Sequence, residues 1–160
     1  MIVLAVLAGG MLGAPARYLA DRMIQARHDS VFPWGTFAVN VAGSAVLGFL
    51  LGAQSHLGLP SAVFALLGTG FCGGLTTFST FGYETLRLLE DGAVREAGLN
   101  VLGSLAVAVL VAWLGFRLAA ALLYAAAVPS AGSAGPARRV DCRGSTVYEP
   151  GTAPAGRPDC

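Results

Sequence analysis

The run GTGFCGGLTTFSTFGYE, residues 68–84, concentrates polar groups within an otherwise apolar stretch. Two adjacent glycines, Gly73 and Gly74, are followed at once by four hydroxyl-bearing residues: Thr76, Thr77, Ser79 and Thr80. Glycine disfavours a helix by about 1 kcal/mol relative to alanine, and threonine and serine hydroxyls compete for backbone groups. The run therefore predicts a helix that is broken in its middle. Backbone groups freed in a membrane must lie within protein, line water or bind an ion, because an unsatisfied polar group is costly in lipid.

Neutral hydrogen-bond donors and aromatic edges accompany this run. Phe78 and Phe81 are three residues apart and share one helix face, and the positive edge of an aromatic ring can meet an anion. Asn40 places an amide inside the second apolar stretch, and Asn100 and Ser104 lie one turn apart in the fourth. Polar side chains are expensive in a membrane and usually face the protein interior. Neutral donors without a buried lysine can bind an anion and still release it, as conduction requires.

Four apolar stretches must position these groups, at about residues 2–19, 34–53, 59–89 and 98–128. As helices, they can each cross the ~30 Å hydrocarbon core, which needs about 20 residues. The predicted fold class is an all-α membrane protein with four transmembrane helices, the third of them broken. Because the connections between the stretches are short, the function is expected to take place within the lipid bilayer.

Composition agrees with a membrane protein and excludes nucleic acid as a partner. Hydrophobic residues make up 55% of the chain and charged residues 12%, whereas soluble domains carry about 25% charged residues. The net charge of +1 comes without any lysine. There is thus no basic stripe to neutralise phosphates.

The chain is expected to contain one membrane domain and a tail. Residues 1–128 form the predicted four-span channel domain, and residues 129–160, rich in Pro, Gly, Ser and Ala, are predicted to be a disordered C-terminal tail. The arginines near the predicted membrane surfaces are balanced: Arg22, Arg27 and Arg95 on one side, and Arg117, Arg138 and Arg139 near the other. Since cytoplasmic loops normally carry the excess of positive charge, this balance gives no preferred orientation.

Three segments together resemble the Fluc (CrcB-type) fluoride channel family. They are GGMLGAPARY (residues 9–18), WGTFAVNVAGS (residues 34–44) and GFCGGLTTFSTF (residues 70–81), in that order and on separate spans. The similarity covers about residues 1–117. It implies a dual-topology homodimer of antiparallel subunits with two narrow pores. Such a dimer would export fluoride passively across the bacterial inner membrane and relieve fluoride toxicity.

The resemblance also implies roles for individual residues. Phe78 and Phe81 would form aromatic boxes whose ring edges meet fluoride, and Asn40 would be a pore-lining donor. A polar track would continue through Ser79 or Thr80 and through Ser104. These six residues are the predicted fluoride pathway, and no catalytic residue or enzymatic activity is expected.

A structural Na⁺ is implied at the centre of the dimer. By the same resemblance, the carbonyls of Gly73 and Thr76 from both subunits would hold it, and Arg17 corresponds to the first-span arginine of the family. Two positions depart from the family: Asn100 stands where a Tyr is common, and Ala108 replaces a hydroxyl-bearing residue. The polar track is therefore expected to be shorter than usual.

Four alternatives are weighed at this point, and the last is the weakest. Some bacteria carry two homologous genes of this family, so the partner could be a paralogous subunit rather than a second copy. A four-span proton-coupled multidrug exporter would need a membrane-embedded acid in the first span, which has none before Asp21. A scaffold without transport would explain the packing glycines but not the polar third span. An intramembrane enzyme is disfavoured, since His28 and His56 both lie in predicted loops.

Overall fold

The chain folds into four long helical spans and one short strand pair. A computed structural model describes residues 1–28, 30–131, 139–140 and 146–147. The helices are α1 (Ile2–Gln25), α2 (Trp34–Leu57), α3 (Ser61–Phe64), a π-helical segment (Ala65–Cys72), α4 (Gly73–Leu75), α5 (Ser79–Glu90) and α6 (Val94–Ala131), followed by β1 (Arg139–Val140) and β2 (Thr146–Val147). Four stretches are long and apolar enough to cross a membrane: Ile2–Gln25, Trp34–Leu57, Ser61–Glu90 and Val94–Ala126. The prediction of four membrane-spanning helices is thus confirmed.

The chain divides into two compact units, residues 1–123 and 124–160. The first contains α1 to α5 and most of α6. The second contains the end of α6 and the antiparallel pair β1–β2, in which Arg139 is opposite Val147. The predicted tail, 129–160, begins inside α6, which continues to Ala131. Apart from the end of α6 and the two strands, that tail lies outside the described residues.

The third span consists of several helical segments in sequence. After α4 ends at Leu75, Thr76 has extended backbone with φ −83° and ψ 159°, and α5 begins at Ser79. The residues between α4 and α5 follow directly on the paired glycines that the sequence singles out. The wider π-helical segment precedes them, and such segments are often found at functional sites. The span is followed by a glycine, Gly92, with φ 75°, a left-handed conformation that glycine adopts without a steric penalty.

Small residues bring α1 against the third span. Gly9 and Gly13 are the buried residues of α1. A Cβ on Gly9 would overlap the Leu66 carbonyl oxygen and lie 2.7 Å from the Phe71 nitrogen. Backbone therefore packs directly on backbone here, as in membrane helices whose contacts are lined by small residues. Between α2 and α6 the contact is equally close, since a Cβ on Gly48 would overlap the Ala112 carbonyl oxygen.

Gly9→Ala is expected to lower the thermal stability of the detergent-solubilised protein, while Gly10→Ala is not. The added methyl at Gly9 meets rigid backbone atoms, and overpacking of this kind costs about 1–3 kcal/mol. At Gly10 the nearest atom to a new Cβ is the Gly70 carbonyl oxygen at 4.0 Å, and alanine favours a helix over glycine by about 1 kcal/mol. Unfolding midpoints of the two variants test this, and an equal loss in both would show that close packing at Gly9 is unimportant.

Candidate functional site

A cavity of about 540 Å³ lies between α2, the third span and α6. Its lining combines hydroxyls, an amide and two aromatic rings with small apolar residues: Asn40, Gly43, Ser44, Leu47, Gly68, Thr69, Cys72, Gly73, Thr76, Thr77, Phe78, Phe81, Ser104, Leu105 and Ala108. None of these described lining residues carries a charge at neutral pH. The cavity therefore offers neutral polar groups at membrane depth.

Asn40 joins α2 to the extended residues of the third span through two hydrogen bonds. Its Nδ2 group donates to the Thr77 carbonyl oxygen at 3.0 Å. The Thr77 N–H donates in turn to Asn40 Oδ1 at 2.7 Å. Because both backbone groups of one residue are satisfied by one side chain, the amide substitutes for the missing helical bonds. Gly43, one turn further along α2, has no room for a side chain because a Cβ would overlap the Thr76 methyl group.

Hydroxyl groups organise the start of α5. The Thr80 N–H donates to Thr77 Oγ1 at 3.2 Å. The Thr77 hydroxyl, one residue before the N-cap Phe78, thus satisfies one of the N–H groups that the first turn of α5 leaves without a helical partner. Thr77 Oγ1 donates to Thr80 Oγ1 at 3.1 Å and lies 3.3 Å from Ser79 Oγ. Ser79 and Thr80 belong to this hydroxyl cluster and are not among the residues that line the cavity.

Phe78 and Phe81 contact each other beside the cavity. Their ring centroids are 5.9 Å apart and the ring planes are inclined by 40°. Phe78 is 82% exposed in the single chain, so its ring is held outward rather than packed in the interior. A phenyl ring in this position beside neutral donors can present its positively polarised edge to whatever enters the cavity.

The most deeply buried polar side chains link α5 to α6. Asn100 is completely buried, and its Nδ2 group donates to Thr85 Oγ1 at 2.9 Å. Thr85 Oγ1 donates to the Phe81 carbonyl oxygen at 2.7 Å, and Ser104 Oγ donates to Asn100 Oδ1 at 3.3 Å. Asn100 is thus a connector between the two helices, and it orients the hydroxyl of the cavity-lining Ser104.

Thr85→Val is expected to lower the free energy of unfolding by about 1–3 kcal/mol, the usual cost of leaving a buried donor without a partner. Valine keeps the shape of threonine but cannot accept the Asn100 amide hydrogen. Thr85→Ser keeps the hydroxyl and serves as the control, with a smaller expected loss. Unfolding in detergent measures both variants, and a Val variant as stable as the Ser variant would contradict the network.

Thr36 and Glu84 form a pair that the sequence alone does not predict. Thr36 is 1% exposed and its hydroxyl donates to Glu84 Oε1 at 2.9 Å. Glu84 Oε2 is buried without a hydrogen-bond partner among the described residues. Gly35 lies beside this pair, where a Cβ would overlap Asp21 Oδ1. The pairing could not be read from the sequence because it depends on which faces of α2 and α5 meet.

Two backbone carbonyls of the third span are separated from the donors that a continuous helix would give them. In such a helix, the Gly73 carbonyl would accept the Thr77 N–H, and the Thr76 carbonyl would accept the Thr80 N–H. Here these N–H groups donate to Asn40 Oδ1 and to Thr77 Oγ1. By contrast, the Cys72 carbonyl accepts both the N–H and the hydroxyl of Thr76. The Gly73 and Thr76 carbonyls therefore fit a role as ligands of a hard cation such as Na⁺.

The cavity brings together most of the residues predicted from the sequence. Six of them line it: Asn40, Gly73, Thr76, Phe78, Phe81 and Ser104. Arg17 lies half-buried on α1 and is not among the lining residues. In the described part of the chain, no group of three or more His, Cys, Asp or Glu side chains could hold a metal ion. Thr77 is the main addition, since its backbone and hydroxyl both organise the site.

Comparison with known proteins identifies the family. The sequence model described as CrcB-like protein, Camphor Resistance (CrcB), matches residues 4–116. The chain belongs to the CrcB-like family. A relative from Streptomyces avermitilis, named "Fluoride-specific ion channel FluC 1", is 56% identical over 119 residues, which cover 74% of this chain and 96% of the relative. The protein of the same name from Frankia casuarinae is 54% identical over 125 residues, with coverage of 74% and 96%.

The relationship extends to a more distant relative. "Fluoride-specific ion channel FluC" of Thermococcus gammatolerans is 45% identical over 119 residues, covering 74% of this chain and 95% of the relative. Every residue that lines the cavity falls inside the family match at 4–116. This CrcB-like chain is accordingly a multi-pass membrane protein of an ion-channel family, and the site lies in the part shared with its relatives.

Proposed function

We propose that this chain is a subunit of a fluoride-selective channel that lets fluoride leave the cell passively across the inner membrane. The observation that carries the proposal is the uncharged cavity in which Phe78, Phe81, Asn40 and Ser104 meet. The names of relatives 45–56% identical to the chain, all fluoride-specific ion channels, support fluoride as the ion. Fluoride is small and strongly hydrated, so a pore must replace much of its water shell with close donors.

The arrangement of donors suggests how the ion is handled. Asn40 carries two amide hydrogens, and the bond to Thr77 uses one of them. The second can point into the cavity toward an anion. The ring edges of Phe78 and Phe81 add weakly positive surface, and Ser104 extends the polar lining along α6. Since none of these groups carries a full charge, the ion is stabilised without being trapped.

The cavity is proposed to be completed by a second subunit. Phe78 is 82% exposed in the single chain. Gly73 is exposed, and apart from its own stretch of backbone no atom lies within 4 Å of the position that a Cβ would take. An antiparallel copy would cover both and would give the dimer two equivalent pathways. A paralogous subunit is the alternative partner, and the name "FluC 2" of a Rhodococcus jostii relative that is 49% identical shows that numbered members of the family exist.

A structural Na⁺ is proposed where the two subunits meet. The carbonyl oxygens of Gly73 and Thr76 from each subunit would hold it, since their usual helical donors bond elsewhere. When bound, the ion would supply a fixed positive charge near the pathway without a charged side chain. This charge would favour an anion in the adjacent cavity.

The test of the proposed function is fluoride efflux from proteoliposomes containing the purified protein, read with a fluoride electrode. Fast fluoride efflux with much slower chloride efflux is expected. Absence of fluoride efflux from a folded dimer would refute the homodimeric channel. Co-reconstitution with a paralogous subunit would then restore efflux if the functional form is a heterodimer.

A further inference from the structure

The bonds between Asn40 and Thr77 do more than place an amide in the cavity. A single side chain on α2 accepts the Thr77 N–H at 2.7 Å and donates to the Thr77 carbonyl at 3.0 Å. Two-point contact of this kind fixes the orientation of one peptide unit on each side of Thr77. We call these two bonds, together with the Thr80 N–H bond to Thr77 Oγ1 at 3.2 Å, the Asn40–Thr77 clamp.

The clamp competes with the helix. If the third span were continuous, Thr77 N–H would bond to the Gly73 carbonyl and Thr80 N–H to the Thr76 carbonyl. The clamp takes both donors away, one to Asn40 Oδ1 and the other to Thr77 Oγ1. A carbonyl whose helical bond is intact must lose that bond, or share it, before it can coordinate a cation at full strength. Because the Thr77 and Thr80 N–H groups already donate elsewhere, a cation can bind the Gly73 and Thr76 carbonyls without first breaking their helical hydrogen bonds.

We propose that the Asn40–Thr77 clamp prepares the cation site by keeping the Gly73 and Thr76 carbonyls free of helical donors. Asn40 then acts as a positioning residue for the cation through Thr77, in addition to facing the anion path. This inference rests on the proposed function for the existence of the Na⁺ site. The clamp would couple Na⁺ binding to fluoride passage, since the Asn40 amide contacts Thr77 and also faces the anion path.

The geometry allows both roles at once. Asn40 Oδ1 faces the Thr77 N–H, and one Nδ2 hydrogen faces the Thr77 carbonyl, which leaves one hydrogen for the cavity. The exposed position of Gly73 leaves space for ligands from a second subunit.

The experiment measures thermal unfolding of the purified full-length protein in detergent as Na⁺ replaces N-methylglucamine at constant ionic strength. Because a ligand that binds the folded state raises its stability by mass action, the Na⁺ concentration that gives half of the stabilisation reports affinity. For wild type we expect a clear rise of the unfolding midpoint with Na⁺. Asn40→Leu keeps the side-chain size but loses both bonds. For this variant we expect the half-effective Na⁺ concentration to rise about tenfold or more, which corresponds to the net worth of about one hydrogen bond.

Thr77→Val provides a second, independent variant. It is nearly isosteric, leaves the bonds of the Thr77 backbone to Asn40 in place, and removes the acceptor of the Thr80 N–H. That N–H can then return to the Thr76 carbonyl, so a smaller rise in the half-effective Na⁺ concentration is expected. Ser55→Ala is the matched control on α2, because it removes a hydrogen bond of 2.8 Å to the Gly52 carbonyl outside the clamp. Its Na⁺ response should equal that of wild type.

A folded Asn40→Leu protein with the wild-type Na⁺ response would overturn the proposal, and so would a wild type whose stability is indifferent to Na⁺. If Asn40→Leu does not fold, the test rests on Thr77→Val, and a Thr77→Val protein with the wild-type Na⁺ response would then overturn the proposal. Fluoride efflux from the same preparations separates this inference from the proposed function. A wild type that responds to Na⁺ through the clamp but passes no fluoride would support the clamp and refute the homodimeric channel.

Discussion

Phe78→Ile should reduce fluoride efflux from proteoliposomes by about tenfold or more. A conventional hydrogen bond to a charged group contributes about 1.5–3 kcal/mol. The ring edges of Phe78 and Phe81, acting together on fluoride, are expected to contribute an amount at the lower end of that range. Isoleucine fills a similar volume but has no polarised edge. Since Phe78 is 82% exposed in the single chain, its replacement removes little internal packing, and the variant should fold as wild type does.

Phe49→Ile is the control for this prediction. Phe49 lies on α2 beside an apolar groove that also involves Val46 and Leu114, and it does not line the polar cavity. The same chemical change there should leave fluoride efflux within about twofold of wild type, because substitutions away from a packed core or a functional group usually change free energies by no more than about 0.5 kcal/mol. If Phe78→Ile conducts as fast as Phe49→Ile, the aromatic pathway is wrong even if the protein proves to be a fluoride channel.

The general architecture could be predicted from the sequence because it depends on composition along the chain. Each span is recognisable by its length and its low content of charged residues, and the end of α4 and the start of α5 fall in the glycine and threonine run that disfavours a helix. The predicted helix ends were less accurate: α1 continues to Gln25 and α2 to Leu57, beyond the apolar residues. Polar residues can continue a helix into the headgroup region, where water satisfies them, so hydropathy marks the membrane core rather than the helix end.

The contacts within the site could be predicted only in part. Residue type and depth single out Asn40, Phe78 and Ser104, and all three line one cavity. The bonds of Asn40 to the Thr77 backbone require knowing which face of α2 meets the third span, and one sequence does not contain that information. Arg17, which the family pattern also singles out, lies half-buried on α1, and its role stays a prediction.

Asn100 illustrates how a departure from the family acquires a physical meaning. The resemblance predicts a shorter polar track from two departures taken together, Asn100 where a Tyr is common and Ala108 where a hydroxyl is common. In the structure Asn100 is fully buried, donates to Thr85 and receives a bond from Ser104. Its amide is therefore engaged between α5 and α6. The Ser104 hydroxyl must turn away from Asn100 before it can donate to an anion in the cavity, which gives a physical reason to expect a slower step at this point.

Asn40→Asp should suppress fluoride efflux even more strongly than Phe78→Ile. The substitution keeps the shape of the side chain and puts a full negative charge beside an anion path. Two like charges 4 Å apart repel by about 4 kcal/mol at an effective dielectric constant of about 20, which corresponds to a reduction of about a thousandfold. One carboxylate oxygen can still accept the Thr77 N–H, but the bond to the Thr77 carbonyl is lost because a carboxylate has no donor. Size-exclusion chromatography therefore checks that the dimer still assembles.

The control for charge alone is Gln54→Glu, which makes the same amide-to-carboxylate change near the far end of α2, outside the cavity lining. Its fluoride efflux should stay close to that of wild type, because residue 54 is fourteen residues, roughly 21 Å along α2, from Asn40, well beyond the screening length of about 10 Å. Since Gln54 Oε1 is buried without a hydrogen-bond partner among the described residues, size-exclusion chromatography checks the assembly of this variant as well. Unchanged efflux in Asn40→Asp would mean that fluoride does not pass Asn40. Equal suppression in both variants would mean that any added negative charge hinders the anion, and the effect could then not be assigned to the cavity. Only strong suppression confined to Asn40→Asp places the anion path between α2 and the extended residues of the third span, where the same amide holds Thr77.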